Sequence, residues 1–463
     1  MKNNFQKAFM QFRKGFFMVL VSMTIIVLGL FSFRAQDPSE TSEYPFLHLN
    51  KTPDVLSKFF KPISAKPNLV FIVVESLGRS YSGPNASQGD FTPFLDSLMP
   101  HSLYWENFLS GAGRTFGVVP SLFGSCPFAE NGFLDMGDKM PSHLSLINIL
   151  RQSGYYTSFY YGSEANFDNM EMFIKKDSID RIIQKKDFGT GYEKMPANKE
   201  GFSWGYGDKD LFRKMLEVNT PVIDKPRLDI LLTLSNHSPY LIQDQKYCTD
   251  KAAAMLRKMP FKEEKKKDLT QYLQYYSTVL YSDDAIRGFI NAYKKRPEYA
   301  NTIFIITGDH RMPEIPIITK IDRFHVPFMI FSPLIKTPRS FKSISTHLDV
   351  TPSLMAFLNR IPGIKKPKYV SWVGSGIDTF KAFRNVHSVA MMPYKGSLSE
   401  YLDGLYFLSG EQLFDIYPSM DIEPTTNEAK KASLKGMLNA FALKNKKACT
   451  NNKLYPDSLL KIR

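Results

Sequence analysis

Five short apolar runs, rich in β-branched and aromatic residues, constrain the fold of this chain more than any other feature of its sequence. They are Asn68 to Val74, Ser158 to Tyr161, Leu228 to Leu234, Thr302 to Thr307 and Val326 to Phe331. A continuous apolar run of this kind is typical of a strand buried on both faces of a parallel sheet. Segments with helical patterning accompany the runs: Leu144 to Ser153, Asp268 to Lys295 and Asp349 to Leu358. This alternation predicts an α/β fold with a doubly wound, mostly parallel sheet flanked by helices, in which ligands bind at the carboxyl ends of the strands.

Length and composition agree with a large globular protein. The chain has 463 residues, 14% of them aromatic, and a formal net charge of +14. The aromatic content can fill a large core, which excludes a disordered chain. Its three cysteines, one of them Cys126, are too widely spaced to indicate a zinc knuckle or a disulfide framework. The basic charge would permit binding to an anionic polymer, but no RNA- or DNA-binding motif accompanies it, and we expect no nucleic-acid partner.

The N-terminus predicts a membrane anchor. Residues 15–33 contain no charged residue, and about 20 such residues cross a bilayer. Residues 1–14 are basic without a single acid, whereas acidic residues follow the apolar stretch, which predicts a cytoplasmic tail and an outward-facing remainder. Phe33 stands where a cleavage site needs a small residue, so we favour a single-pass anchor in the cell (inner) membrane over a cleaved signal peptide.

The remaining chain divides by pattern into three parts. Residues 34–66 are interrupted by prolines and predict a linker or a wrapping arm. We expect the catalytic domain over residues 67–373 and a small α+β segment over residues 374–463 that packs on it. The charged run Lys262 to Lys267 predicts a solvated loop or the start of a helix, and a last helix is predicted from Asn427 to Leu443.

Charged and imidazole side chains follow three of the apolar runs. Glu75 follows the first run, His237 comes shortly after the third, and Asp309 and His310 follow the fourth. Each could be a structural hydrogen-bonding group on its own. Since the carboxyl ends of parallel strands share one sheet edge, the carboxylates and the imidazole of His310 also form a plausible site for one divalent metal ion, Mn, Zn or Mg.

Thr115 is the candidate fourth ligand. It follows small residues and Arg114 and precedes an apolar helix start, so it stands near a helix N-terminus, where backbone N–H groups favour an anion. It could be a helix cap and nothing more. Next to a bound cation, however, its hydroxyl would become a nucleophile.

In their order along the chain these motifs resemble the lipoteichoic acid synthase branch of the alkaline phosphatase/sulfatase superfamily. The similarity covers roughly residues 67–362 and rests on six motifs, among them Gly-Arg114-Thr115, Ser-Asn-His237, Gly-Asp309-His310 and the His347 to Leu354 segment. The resemblance implies a metal bound by Glu75, Thr115, Asp309 and His310, with the threonine forming a covalent phospho-enzyme. It also implies that His237 contacts the transferred group and protonates the leaving oxygen. Arg114 and Arg311 are candidate substrate-binding helpers, and each could instead be a structural or surface arginine.

The sequence departs from its relatives at several points. True sulfatases have an Asp-Asp pair where Glu75 and Ser76 stand, and a Cys or Ser where Thr115 stands. Lipoteichoic acid synthases carry a Trp-Asn-Arg-Asp element that contacts glycerol phosphate. Here residues 166–170 read Asn-Phe-Asp-Asn-Met, so the arginine is missing and Asn169 is the substrate contact that we expect to remain.

The sequence therefore predicts a membrane-anchored, metal-dependent phospho-transferase of the phosphoglycerol or phosphoethanolamine type, or a phosphodiesterase. Its expected substrate is an anionic lipid or glycan of the cell envelope. One alternative is a sulfatase that uses the same pocket. The other is a non-catalytic protein that binds anionic envelope polymers, although such a protein would not need Glu75, Asp309 and His310 on separate strand ends.

Overall fold

The computed structural model describes residues 43–219 and 224–462. Strands and helices are numbered in chain order within this part. The strands are β1 (His48–Leu49), β2 (Asn68–Val74), β3 (Ser102–Leu109), β4 (Tyr156–Tyr161), β5 (Arg181–Ile183), β6 (Arg227–Leu232), β7 (Thr302–Gly308), β8 (His325–Phe331), β9 (Arg339–Phe341), β10 (Ser345–Thr346), β11 (Tyr369–Val370), β12 (Ser388–Met391), β13 (Glu400–Asp403), β14 (Tyr406–Ser409), β15 (Gln412–Ile416) and β16 (Ile422–Pro424). The α-helices are α1 (Pro93–Leu98), α2 (Val118–Gly124), α3 (Leu146–Gln152), α4 (Met170–Lys176), α5 (Asp208–Val218), α6 (Gln245–Lys258), α7 (Glu263–Thr270), α8 (Leu273–Tyr293), α9 (Val350–Leu358) and α10 (Glu428–Thr450).

A nine-stranded mixed sheet forms the centre of the fold. Its order is β10-β3-β8-β7-β2-β6-β4-β5, with β9 also paired to β3. β2 pairs in parallel with β7 on one side and with β6 on the other, and Val74 lies opposite Gly308. The three predicted runs that precede Glu75, His237 and Asp309 are therefore adjacent strands with their carboxyl ends at one edge.

Both faces of the sheet are buried, as the continuous apolar runs predict. Leu69, Phe71 and Val73 of β2 belong to one core with residues of α2, α3 and α9. Val70 and Ile72 point to the opposite core, which contains residues of α5 and α8. The alternation follows from the two-residue period of a strand, and helices cover each face.

Two strands add detail to the prediction. β8 is antiparallel to both β3 and β7, whereas the other pairings in the central sheet are parallel, so the sheet is mixed but mostly parallel. β3 is absent from the predicted set, because Glu106 and Asn107 interrupt its apolar run. The β3–β8 ladder shifts register between Trp105 and Phe108 around these two residues.

Several helix boundaries also differ from the prediction. α3 begins at Leu146 after a capping box formed by Ser145 and Asn148. The predicted helix from Asp268 to Lys295 is two helices, α7 and α8, and the charged run from Lys262 is the start of α7. α10 continues to Thr450, beyond the predicted end at Leu443.

Residues 43–66 wrap around the catalytic region rather than forming a free linker. β1 pairs with β11, and Phe60 bridges to Ile335. Leu56 and Phe59 are buried in the core on one face of the sheet. The predicted basic tail 1–14 and anchor 15–33 lie outside the described residues. Within residues 43–219 and 224–462, no helix combines the length and the apolar character needed to cross a membrane.

The C-terminal part is an antiparallel sheet of five strands, β12 to β16, with α10 on one side. On its other side, Leu402 and Phe407 pack against Phe116 and Phe324 of the catalytic region. Phe116 follows the candidate nucleophile directly, so this sheet supports the segment that carries Thr115. The division at residues 373 and 374 stays a prediction.

Candidate active site

Glu75 leaves the end of β2 and is buried. Its backbone N–H donates to Thr233 Oγ1 at 3.0 Å, and its carbonyl accepts from Asn236 Nδ2 at 2.9 Å. Both partners belong to the loop that follows β6. The hydroxyl of Ser76 donates to Glu75 Oε1 at 2.8 Å. These bonds fix the carboxylate so that its second oxygen, Oε2, faces Thr115.

Asp309 and His310 follow β7 and are also buried. Asp309 Oδ1 accepts from the backbone N–H groups of Ser76 and His310, each at 2.7 Å. Oδ2 has no hydrogen-bond partner among the described residues. His310 Nδ1 lies 2.7 Å from the carbonyl of Arg311 and donates to it, so Nε2 is left with a lone pair that faces the carboxylates.

Thr115 begins a 3-10 turn, Thr115–Gly117, that continues into α2. Its Oγ1 lies 3.2 Å from Glu75 Oε2 and 3.1 Å from His310 Nε2. A side chain at Gly117 would collide with Ala112, with the two Cβ atoms 2.2 Å apart. Glycine at that position therefore lets the turn approach closely enough to place the hydroxyl among the charged groups.

The electrostatics of this cluster favour a cation. Burial, reinforced by the neighbouring Asp309, raises the pKa of Glu75 to about 7. Burial also raises the pKa of Asp309 to about 7, against the effect of its two backbone hydrogen bonds. It lowers the pKa of His310, which favours the neutral imidazole that binds metals. Two buried carboxylates, of which Asp309 has an unpaired oxygen, and an imidazole nitrogen whose lone pair faces them are a set of ligands that a dication would satisfy.

Glu75, Asp309 and His310 can each place one ligand atom within 4.8 Å of the others. They are the metal ligands predicted from the sequence, and Thr115 lies beside them. The residues present therefore fit a divalent metal ion, whose identity the ligand types leave open among Mn, Zn and Mg.

A cavity of about 290 Å³ opens above the cluster. His237 and Arg114, both predicted from the sequence, line it. His237 Nδ1 lies 3.0 Å from the carbonyl of Ser238, to which it donates, so Nε2 is the nitrogen available to a ligand. The Arg114 guanidinium lies 5.8 Å from the ring centre of Tyr394.

Two predicted substrate contacts lie elsewhere. Arg311 is 2% exposed and pairs with Asp322 at 2.9 Å. Its guanidinium also donates to the carbonyls of Met312, Ile315 and Pro316, so protein groups occupy its donors. Asn169 does not line the cavity, because its Nδ2 donates to the carbonyl of Leu134 at 3.1 Å.

The structure adds cavity residues that the sequence did not indicate. Phe167 and Asp168, from the segment that departs from the synthase pattern, line one wall. Tyr394 and Lys395 come from the loop after β12. Lys395 Nζ lies 2.8 Å from Asp135 Oδ1 and 2.9 Å from Asp168 Oδ1. Nothing in the local sequence around residue 395 marks it, because its position depends on how the C-terminal sheet packs.

The sequence profile of the sulfatase family matches residues 67–360. The chain belongs to the sulfatase family. Within the family it is similar to the lipoteichoic acid synthase-like YvgJ of Bacillus subtilis (strain 168), with 24% identity over 314 residues that cover 63% of this chain and 47% of that protein. It is also similar to phosphoglycerol transferase I of Escherichia fergusonii, with 23% identity over 273 residues that cover 56% of this chain and 33% of that protein. The chain thus spans between a third and a half of the length of these relatives.

The fold of this sulfatase-family chain is shared with a solved structure. A protein in the alkaline phosphatase superfamily from Vibrio parahaemolyticus superposes with a TM-score of 0.67 at 23% identity, over 90% of this chain and 93% of that chain. The predicted resemblance to the lipoteichoic acid synthase branch is confirmed. The predicted α/β fold of the alkaline phosphatase type is confirmed as well, with a mixed sheet.

Proposed function

We propose that this protein is a metal-dependent phospho-transferase or phosphodiesterase that acts on envelope lipids or glycans through Thr115. The observation that carries the proposal is the position of the Thr115 hydroxyl. It lies within hydrogen-bond distance of both Glu75 and His310, at the base of a cavity whose wall presents His237. A hydroxyl that served as a helix cap would instead bond a backbone N–H group, whereas the Thr115 hydroxyl contacts two side chains and the N-cap position of this turn is held by Arg114.

Glu75, Asp309 and His310 would hold one divalent metal ion, with Thr115 as a further ligand. Bound there, the ion would lower the pKa of the Thr115 hydroxyl and offset the charge of the two buried carboxylates. The metal dependence and the choice of metal are part of this proposal.

The residues around the cavity can catalyse the transfer of a phospho group in two steps. In the first step, Thr115 Oγ1 attacks the phosphorus of a phosphodiester and its proton passes along the existing hydrogen bond to Glu75. The bond from phosphorus to the leaving oxygen breaks as His237, which enters this step as an imidazolium with its Nδ1–H on the Ser238 carbonyl, gives that oxygen the proton on Nε2. In the second step, water or an acceptor hydroxyl gives its proton to His237, attacks the phosphorus and displaces Thr115, which regains its proton from Glu75. Arg114 stabilises the charge on the phosphoryl oxygens.

The transferred group is phosphoglycerol or phosphoethanolamine in this proposal. Lipoteichoic acid synthase-like and phosphoglycerol transferase relatives support it, although neither is matched over its whole length. Residues 15–33 would anchor the chain in the cell membrane with the catalytic region outside the cytoplasm, where envelope lipids and glycans are accessible.

Intact-mass measurement tests the nucleophile directly. Metal-loaded protein is mixed with phosphatidylglycerol or phosphatidylethanolamine in detergent and quenched in acid. We expect an adduct whose mass names the transferred group and which maps to the peptide that contains Thr115. Thr115→Ala should form no adduct at the same metal content. An adduct on another residue, or none with either lipid despite turnover, would overturn the covalent mechanism.

Sulfate-ester hydrolysis in the same cavity is the second candidate, because the matching family is the sulfatase family. Thr115 and Ser76 argue against it. A sulfatase would have a Cys or Ser in place of Thr115 and an Asp in place of Ser76. Comparison of an aryl phosphodiester with an aryl sulfate under the same conditions separates the two activities.

A further inference from the structure

The outer side of α10 presents apolar and basic side chains together. Leu443 is 72% exposed, more than any other large apolar side chain in the described part of the chain. Ala440, one turn earlier on the same side, is exposed as well, and the exposed Lys444 and Lys446 follow Leu443. A single exposed leucine needs no partner, but a larger apolar surface beside it indicates an interaction site.

The N-terminal arm extends this surface. Leu49 of β1 is 42% exposed and Met437 of α10 is 38% exposed. Both line a cavity of about 650 Å³ between the arm and the helix, which Lys444 also lines. Phe46 of the arm packs on Phe441 of α10 at 5.6 Å between ring centres and holds the arm beside the helix. We define the docking face as Leu49, Met437, Ala440, Leu443, Lys444 and Lys446.

The docking face is positively charged. α10 contains six lysines and a single acidic residue, Glu428, in its first turn. The three lysines nearer its start pair with Asp403, Glu428 and Glu411. Lys444 and Lys446 form no ion pair with any of the described residues. Basic side chains near an anionic surface are attracted to it over about a Debye length, so these two lysines favour a partner that carries negative charge.

The chain enters the described region next to this face. Glu43, the first described residue, pairs with Lys453, which follows α10 closely. The Lys453 ammonium also lies 5.3 Å from the ring centre of Tyr44. Residues 34–42 separate this point from the apolar residues 15–33, and nine residues span at most about 30 Å. If residues 15–33 cross the membrane as proposed, the docking face is on the side of the protein that is tied to the bilayer.

The composition of the docking face favours an anionic bilayer over two other partners. A second copy of this chain, paired about a twofold axis, would bring the lysines of one copy close to those of the other. A soluble anionic polymer would neutralise the lysines but leave Leu443 and Met437 in water. A bilayer offers anionic head groups to the lysines and an apolar boundary to Leu443, with the lysine stems lying along that boundary.

We propose that the docking face lies on the leaflet of the cell membrane that faces away from the cytoplasm, and that it binds anionic lipid head groups there. This inference rests on the anchor of the proposed function and assigns the surface that meets the bilayer. The active site is on the same side, because Lys446 and Asp135 line one cavity and Asp135 pairs with Lys395 of the active-site cavity. Docking would therefore hold the active-site cavity beside the lipid surface.

Quenching of a fluorophore by lipids tests the contact. All three native cysteines are buried, so a cysteine introduced by Ala440→Cys can be labelled selectively with bimane in the full-length protein. The labelled protein is reconstituted into phosphatidylcholine vesicles with or without phosphatidylglycerol, and both kinds contain lipids with a nitroxide quencher near the head group. We expect quenching and a blue-shifted emission that depend on phosphatidylglycerol.

Tyr247→Cys provides the matched control label. Tyr247 is 65% exposed on α6. Ala252 and Leu256 of α6 belong to the core on one face of the central sheet, whereas Ala448 and Cys449 of α10 belong to the core on the other. A label at residue 247 should therefore show no quenching with either lipid composition.

Substitutions in the docking face should reduce the quenching at residue 440. Lys444→Gln combined with Lys446→Gln should lower the ratio of docked to undocked protein about 30-fold, because each lysine contributes about fivefold near an anionic surface. Leu443→Ser should also lower this ratio, whereas Lys246→Gln, at an exposed lysine on α6, should leave it unchanged. High salt should act like the loss of the lysines, since it screens their attraction to the head groups.

Three results would contradict the inference or its basis. Equal quenching at residues 440 and 247, or equal quenching at residue 440 with and without phosphatidylglycerol, would overturn it. Energy transfer between labelled copies in place of lipid quenching would assign the face to a second copy of the chain and overturn it as well. Extraction of the protein from the vesicles by alkaline carbonate would instead refute the proposed anchor, and the contrast between the two lipid compositions would still decide the docking.

Discussion

Replacing Gly308 by alanine is the sharpest test of how the strand ends build the site. Gly308 ends β7 and directly precedes Asp309 and His310. A Cβ atom added there would lie 2.0 Å from the carbonyl oxygen of Leu77, whereas real Cβ contacts essentially never fall below 3.0 Å. β7 must therefore move at least 1 Å from the loop after β2, or that loop must move by the same amount.

The required movement would displace the proposed metal ligands Glu75, Asp309 and His310. β2 and β7 pair over their whole lengths and both are buried, so the strain cannot be relieved by sliding the strands. Overpacking of this kind costs about 3 kcal/mol, and for a chain of this size such a loss lowers Tm by about 3 to 4 °C. Metal sites tolerate ligand shifts of about 0.2 Å, and a misplacement of about 1 Å costs on the order of 100-fold in rate.

The assay is a thermal melt together with metal affinity and turnover on an aryl phosphodiester. We expect Gly308→Ala to lose metal affinity and about 100-fold in kcat/KM, at a modest cost in Tm. Gly288→Ala is the matched control. Gly288 lies in α8 with nothing within 4 Å of an added Cβ, so alanine there should stabilise the fold by about 0.5 to 1 kcal/mol. If Gly308→Ala keeps its Tm within 1 °C and its metal affinity within twofold of the parent, the close approach at Leu77 does not position the ligands.

Thr115→Ala should lower turnover by at least about 10⁴-fold while the fold is retained, with Tm and rate measured on the same preparation; activity within a few-fold of the parent would make Thr115 a structural residue. Asp309→Ala should reduce metal affinity more than Thr115→Ala, since a carboxylate holds a dication more strongly than a neutral oxygen, and calorimetric titration measures the difference. Arg311→Met should cost about 3 to 5 kcal/mol of stability, because it leaves the buried Asp322 unpaired; a chemical denaturation curve like that of the parent would contradict this. In metal-free protein, the raised pKa values of Glu75 and Asp309 mean that these two carboxyl groups bind protons more tightly in the folded state than in the unfolded state, so their contribution to stability should fall as the pH rises from about 4 to about 7; melts of the parent and of Glu75→Gln across this range should show the fall as a difference between the two proteins, and added Mn²⁺ or Zn²⁺ should reverse it in the parent.

The sequence predicted the strand ends of the site for a simple physical reason. β2, β6 and β7 are buried on both faces, so their runs are predominantly apolar, with Asp229, which pairs with Arg227, as the one charged residue within the three predicted runs. The polar residues just after each run mark the sheet edge. β3 was not predicted, because Glu106 and Asn107 are two adjacent polar residues that interrupt its apolar run. The approximate place of Thr115 could be predicted from the small residues before it. The turn at Gly117 packs closely against Ala112, and this contact leaves no room for larger side chains.

The rest of the cavity depends on tertiary packing that no local pattern encodes. Lys395 reaches the cavity only through the packing of β12 against the nucleophile segment. Arg311 was predicted as a substrate-binding helper or a structural arginine, and its buried side chain pairs with Asp322, as a structural arginine would. The spacing of residues along the chain does not determine the direction of a side chain, and for this reason the ligand-contacting residues were the least predictable part of the site.

Backbone hydrogen bonds join the loop after β12 to the nucleophile segment, since the Gly113 N–H donates to the Met392 carbonyl and the Met392 N–H donates to the Gly111 carbonyl. These bonds have a consequence for biogenesis. The nucleophile segment leaves the ribosome long before β12 does, so Thr115 lacks this backbone support until nearly the whole chain has been synthesised. If the chain is exported as proposed, catalytic competence would come only after the C-terminal sheet has emerged and folded on the far side of the membrane. The enzyme would then be inactive during its own synthesis, and would become active only where its substrates are.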